Sequence, residues 1–133
     1  MTLVFVPKDA AALAVGANKV AARIEAEACA RGLPVEIVRT GSRGMFFLEP
    51  LIEVETPQGR IGYGPVSASD IASLFDAGLL TGGAHAHALR IGTPEEHPFL
   101  AGQTRLTFAR CGIIDPLSLA DYVAYGGWNG LAR

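Results

Sequence analysis

Few residues in this 133-residue chain have the type and spacing to do chemistry. The two cysteines, Cys29 and Cys111, stand far apart and neither belongs to a Cys-x-x-Cys pair. They make neither a redox dithiol nor a disulfide framework, and they suit a reducing cytoplasm. Cys111 follows Arg110, whose charge can lower a thiol pKa. No histidine stands beside it as a base, so no catalysis is expected there. Cys29 falls near the end of a predicted helix, next to its apolar face, where a small buried hydrophobe is expected. His85 and His87 have a spacing that can hold a metal from an extended segment. A third ligand is lacking, His97 being distant, and the flanking Gly-rich stretch reads as a solvated loop. Glu53 and Glu55 alternate with Ile52 and Val54, the pattern of a solvated strand face, and define no carboxylate pair. Asp115-Pro116 with Ser118 reads as a helix start. Neither a catalytic residue nor a metal site is expected.

The most organised stretch is Gly41-Ser42-Arg43-Gly44-Met45-Phe46-Phe47-Leu48-Glu49-Pro50. It follows a predicted strand and precedes a hairpin, and ligands usually bind at such strand ends. Four consecutive apolar residues cannot all turn inward from a loop. Phe46 is expected to point in, and Phe47 or Met45 toward a partner.

The elements that must hold this loop are legible. Residues 2–6 are a β-branched and aromatic run, read as a buried strand. Asp9 is a good N-cap for a helix over 10–31, with Leu13, Ala17, Val20, Ile24 and Ala28 on one face and Arg23 paired to Glu27 on the other. Gly32 and Pro34 stop it. Residues 35–39 form a second strand, parallel to the first through a right-handed crossover. Residues 51–55 and 60–63 make a hairpin around Thr56-Pro57-Gln58-Gly59. Ser67 or Ser69 caps a helix to about Ala77, with Ile71, Leu74 and Phe75 inward. The order β-α-β-β-β-α is the core of an α/β, thioredoxin-like fold with a mixed four-stranded sheet. This domain is assigned to residues 1–80, a linker to 81–98, and a C-terminal extension to 99–133, with a short strand at 105–109 and a helix around 117–124.

Composition excludes several classes. Half the residues are apolar, as in a packed domain, and the formal net charge is -2. Without a Lys/Arg run there is no electrostatic footprint for nucleic acid. The apolar N-terminus is too short for a signal peptide or a membrane span.

The tail carries a resemblance. Gln103-x-Arg105, Cys111-Gly112-x-Ile114-Asp115-Pro116, Tyr122 and Gly126-Gly127-Trp128-x-x-Leu131 resemble the opening of the NADH-binding, FMN-carrying flavoprotein subunits of respiratory complex I, bidirectional hydrogenases and NAD-dependent formate dehydrogenases. Residues 1–80 resemble the extra N-terminal domain of some of those subunits, a thioredoxin-like 2Fe-2S ferredoxin domain. Cluster-bearing relatives read Gly-Cys-x-Gly-x-Cys-x-x-Gly-Pro in the central loop. Here Gly41, Gly44 and Pro50 match, whereas Ser42 and Phe46 stand at the cysteine positions and Glu49 at the second-last one. Upstream, relatives read Cys-x-x-Ala-x-Gly; Ala14 and Gly16 match, and Ala11 replaces the cysteine. Taken together, loop and tail most closely resemble the β subunits of soluble, molybdenum-dependent, NAD-linked formate dehydrogenases, whose N-terminal domain lacks the cluster.

The resemblance implies a structural and subunit-docking domain in a complex passing electrons from formate to NAD. The implied partners are the formate-oxidising molybdenum subunit and a ferredoxin-like small subunit. It implies no cofactor in these residues, with FMN, NAD and an iron–sulfur cluster held by the remainder of a longer subunit of which this chain is an N-terminal fragment. Met45, Phe47 and Trp128 are the candidate docking surface, and the apolar tail suggests self-association. The competing readings are an active redox domain, and a free-standing thioredoxin-like protein binding a small molecule or metal.

Overall fold

The computed structural model describes residues 1–81 and 84–132; Gly82 and Gly83, part of the expected linker, lie outside them. Strand β1 (Thr2–Pro7) is followed by α1 (Ala10–Ala14) and α2 (Ala17–Ala30), then β2 (Val35–Thr40). Asp9 caps α1, its carboxylate accepting from the N–H groups of Ala11 and Ala12. The helix expected over 10–31 is therefore two. The chain breaks at Gly16, whose φ of +102° only glycine adopts without strain. That break turns Leu13 outward, while Ala17, Val20, Ile24 and Ala28 are buried as the spacing predicts. Arg23 and Arg31 both pair with Glu27 one turn away. Cys29 proves exposed, because it lies beside the buried stripe rather than on it.

Strands β3 (Ile52–Thr56) and β4 (Gly59–Tyr63) form the expected hairpin, and α3 (Ile71–Asp76) follows a capping box between Ser67 and Asp70. The sheet has five strands rather than four, in the order β2-β1-β3-β4-β5. Its fifth, β5 (Arg90–Gly92), comes from the stretch read as a linker and pairs antiparallel with β4. Three residues are too few to show a period of two, so the sequence does not announce this strand. β1 and β2 are parallel and the other pairs antiparallel.

Alternation assigns the two faces. Val4, Val6, Ile52, Val54, Ile61 and Tyr63 point to the helices and join Val20, Ile24, Ile71 and Leu74 in the main core. Phe5, Glu53 and Arg60 belong to the opposite face, which the C-terminal segment partly covers. After α4 (Pro98–Ala101) that segment runs through turns to α5 (Leu119–Ala124), capped by Ser118 as expected. The strand expected at 105–109 is absent: these residues are turns, with Leu106 and Phe108 exposed. None of the described helices is long and apolar enough to cross a membrane.

Candidate functional site

The loop between β2 and β3 is held by two polar clusters. In the first, Ser42 Oγ donates to Glu49 Oε1 at 2.9 Å and accepts from the Gly44 N–H at 2.9 Å. Glu49 Oε2 accepts from the Leu51 N–H at 2.9 Å. Ser42 and Glu49, two of the positions where the loop departs from the cysteine-bearing pattern, are thus bonded to each other across the base of the loop.

The second cluster is a buried ion pair. Arg43 is 4% exposed and Glu53 is 3% exposed. The guanidinium donates two parallel bonds to the carboxylate, at 2.8 and 2.7 Å, and a third, at 2.6 Å, to Glu95. Glu53 is therefore not on a solvated strand face, as its alternation suggested. Arg60 lies 3.5 Å from the same carboxylate and 3.3 Å above the Phe5 ring, and it donates to the Ile113 carbonyl. Burial works against the charge on Arg43, but the bonds to Glu53 outweigh it and hold its pKa above the ordinary value. Burial likewise works against Glu95, and the Arg43 charge prevails, lowering its pKa. Gly112 rests against Arg43: a Cβ there would come within 2.6 Å of the Arg43 stem, and φ is +79°. One arginine thus ties together the loop, β3, the turn at Glu95 and the C-terminal segment.

The apolar residues of the loop are arranged opposite to the expectation. Met45 is 0% exposed and packs with Leu51 and Leu100, whereas Phe46 is 62% exposed. Residues Phe46–Leu48 form one 3-10 turn, which carries Met45 inward and swings Phe46 out. Phe47, 59% exposed as expected, meets the Phe99 ring edge-on at 5.6 Å and lies 5.9 Å from His97. Phe46, Phe47 and Phe99 form an exposed aromatic patch at the loop tip. Trp128 is away from it in sequence and packs edge-on against Tyr122 at 5.1 Å, half exposed.

The histidines are engaged elsewhere. His87 Nδ1 accepts from the Leu89 N–H and Nε2 meets Ser73 Oγ; His97 Nδ1 caps α4. Asp115 pairs with Lys8 at 2.8 Å and accepts from the Leu117 N–H, as a helix-start residue does. Among the described residues no group of three or more His, Cys, Asp or Glu side chains could hold a metal.

A 2Fe-2S cluster does not fit these residues. It needs about four thiolates, and the chain has two cysteines. Ser42 is committed to Glu49, Phe46 presents a ring to solvent, and Ala11 offers no donor atom. Sequence reading overlooked Arg43, Glu53 and Glu95. The available signal was an arginine between two loop glycines followed by carboxylates on the next strand.

Burial pushes the Glu49 carboxyl above its ordinary pKa, the bonds from Leu51 and Ser42 only partly offsetting it. A raised carboxyl holds its proton longer in the folded state, so stability falls as pH rises from the ordinary carboxylate range toward neutrality. Glu49→Gln does not titrate. The stability of the natural protein relative to this variant should therefore decline between about pH 4 and neutrality. Urea unfolding of both proteins across that range tests the sign; a relative gain with rising pH would contradict the assignment.

No family model matches the chain, and no curated protein matches it. Solved structures do. The wild-type thioredoxin-like 2Fe-2S ferredoxin from Aquifex aeolicus is 20% identical, with a TM-score of 0.57 over 70% of this chain and 98% of that chain. A cysteine-to-serine variant of it is 23% identical, with a TM-score of 0.56 over 70% and 100% of the two chains. A further structure of that ferredoxin gives 20% identity and a TM-score of 0.58, covering 74% of this chain and 96% of the other. The chain has the thioredoxin-like fold, and identities this low carry the fold alone.

Proposed function

We propose that this chain is a cluster-less, thioredoxin-like docking domain of an NAD-linked oxidoreductase, of the kind found at the N-terminus of soluble formate dehydrogenase β subunits. Its task is to hold the flavoprotein subunit against the formate-oxidising or ferredoxin-like subunit on the route from formate to NAD. It does no chemistry itself; FMN and NAD belong to the flavin domain that residues 99–133 introduce. The setting is cytoplasmic.

One observation carries this reading. At the loop where the ferredoxins of this fold are named for a 2Fe-2S cluster, this chain presents Phe46, Phe47 and Phe99 to solvent. Exposed aromatics clustered on a rigid loop are the usual anchors of protein interfaces. The polar clasp of Ser42 and Glu49 and the Arg43 pair support it, because they order the loop without a ligand. Met45 drops out of the docking surface, and Phe46 takes its place.

The test is affinity of the intact β subunit for the formate-oxidising and small subunits. Phe46→Ser with Phe47→Ser should weaken one of these contacts by about thirtyfold or more, with the circular dichroism unchanged. Unaltered affinity removes the docking surface. A separate arm incubates the chain with iron and sulfide without oxygen; visible charge-transfer bands at one cluster per chain would restore the electron-carrier reading instead.

A further inference from the structure

We infer that the outer edge of β2, together with the outward face of α5, is the interface of a two-fold dimer of this chain. Strand β2 is the long free edge of the sheet; the other edge, β5, has three residues. Among the described residues no other segment bonds to the outer edge of Val35–Thr40. Such a row of open N–H and C=O groups is normally blunted by charge, proline or a covering element. Here Val-Glu-Ile-Val-Arg-Thr contains no proline. Arg39 does not guard the edge, because its guanidinium is turned back onto the carbonyls of Val6 and Pro7 and onto Asn18.

Helix α5 runs beside this strand. Ser118 and Asp121 line a groove with Glu36, Ile37, Val38 and Arg39. The other side of α5 presents Leu119 and Val123 to solvent, 65% and 51% exposed. An open edge and an apolar helix face therefore lie side by side.

A second copy is the occupant that the area and the pairing chemistry favour. The accessible surface is 7378 Å². A monomer of 13.9 kDa is expected to show about 6700 Å². The excess approaches the share of about 800 Å² that one partner hides in a standard interface. A two-fold axis normal to the sheet keeps both helix layers on one side and makes the joined strands antiparallel. Centred on Val38, it sets Val38 against its own copy, Glu36 against Thr40 of the second copy, and Ile37 against Arg39, with no like charges opposed. Centred on Ile37, it would bring the two Glu36 carboxylates onto one diagonal. The Val38 register is the one assigned.

Light scattering of the full chain should give twice 13.9 kDa, falling to the monomer on dilution. Hydrogen exchange across about a hundredfold range of concentration should show amides of 36–40 gaining protection as the dimer forms. Leu119→Lys with Val123→Lys places four cations at a symmetric interface and should weaken association by about a hundredfold. A monomer at the highest concentration overturns the inference. So does a dimer in which the amides of 36–40 gain no protection, which decides the matter even if the double variant fails to fold. A dimer that survives the lysines but is lost with Phe46→Ser and Phe47→Ser places the contact at the loop instead.

Discussion

Replacing Arg43 by alanine should cost about 3–5 kcal/mol, because it leaves Glu53 buried without its counter-charge. For a domain of this size the melting temperature should fall by roughly 10–20 °C. The loss is large against a total stability of about 5–15 kcal/mol. Glu53 has no alternative partner of equal quality, since Arg60 approaches it only to 3.5 Å. The double variant Arg43→Met with Glu53→Leu removes both charges and should recover most of the loss, because an apolar pair of similar volume does without the desolvation cost. If the double variant melts no higher than Arg43→Ala, the arginine acts through packing, for instance against Gly112, rather than through its charge. Glu95→Gln should cost far less, because that carboxylate is half exposed and solvent screens it.

The second large effect separates two neighbours in the loop. Met45→Ala should cost about 2–5 kcal/mol, the usual result of emptying a fully buried site. Phe46→Ala should change stability by no more than about 0.5 kcal/mol, because its ring makes little contact with the fold. Equilibrium unfolding of the two variants side by side checks both values. The reverse order, with Phe46→Ala the costly change, would return the ring to the interior, where the sequence alone placed it. The pair also bears on function. A residue that matters for docking but not for stability should lose affinity without losing melting temperature, and Phe46 is expected to behave so.

These two results mark the border between local and non-local information in the chain. The order of strands and helices follows from short-range physics. Period-two alternation at Ile52–Thr56, helical spacing from Ala17 to Ala28, and caps at Asp9, Ser67 and Ser118 are each decided within a few residues, and each stands where the pattern puts it. The thioredoxin-like order is visible for that reason. The loop motif too is a local string, so its lack of cysteine ligands at Ala11, Ser42 and Phe46 is plain in the letters.

Tertiary structure decided the rest. Arg43, Glu53 and Glu95 are separated by 10 and 52 positions measured from the arginine, beyond any helical or strand spacing, so their union needs the folded sheet. Alternation placed Glu53 on the face opposite the helices correctly, but whether that face meets water depends on what covers it. Here Arg43 and Arg60 do. The inversion of Met45 and Phe46 turns on a single 3-10 turn, which rotates each side chain by a third of a circle and which composition does not announce. Strand β5 is too short to have a period, and only the hydrogen bonds offered by β4 make it a strand. Sequence by itself determined the elements and the absence of thiolate ligands at the loop. Packing alone determined which charges are buried together and which aromatic rings face outward, because burial belongs to the assembled layers and not to a residue's neighbours in the chain.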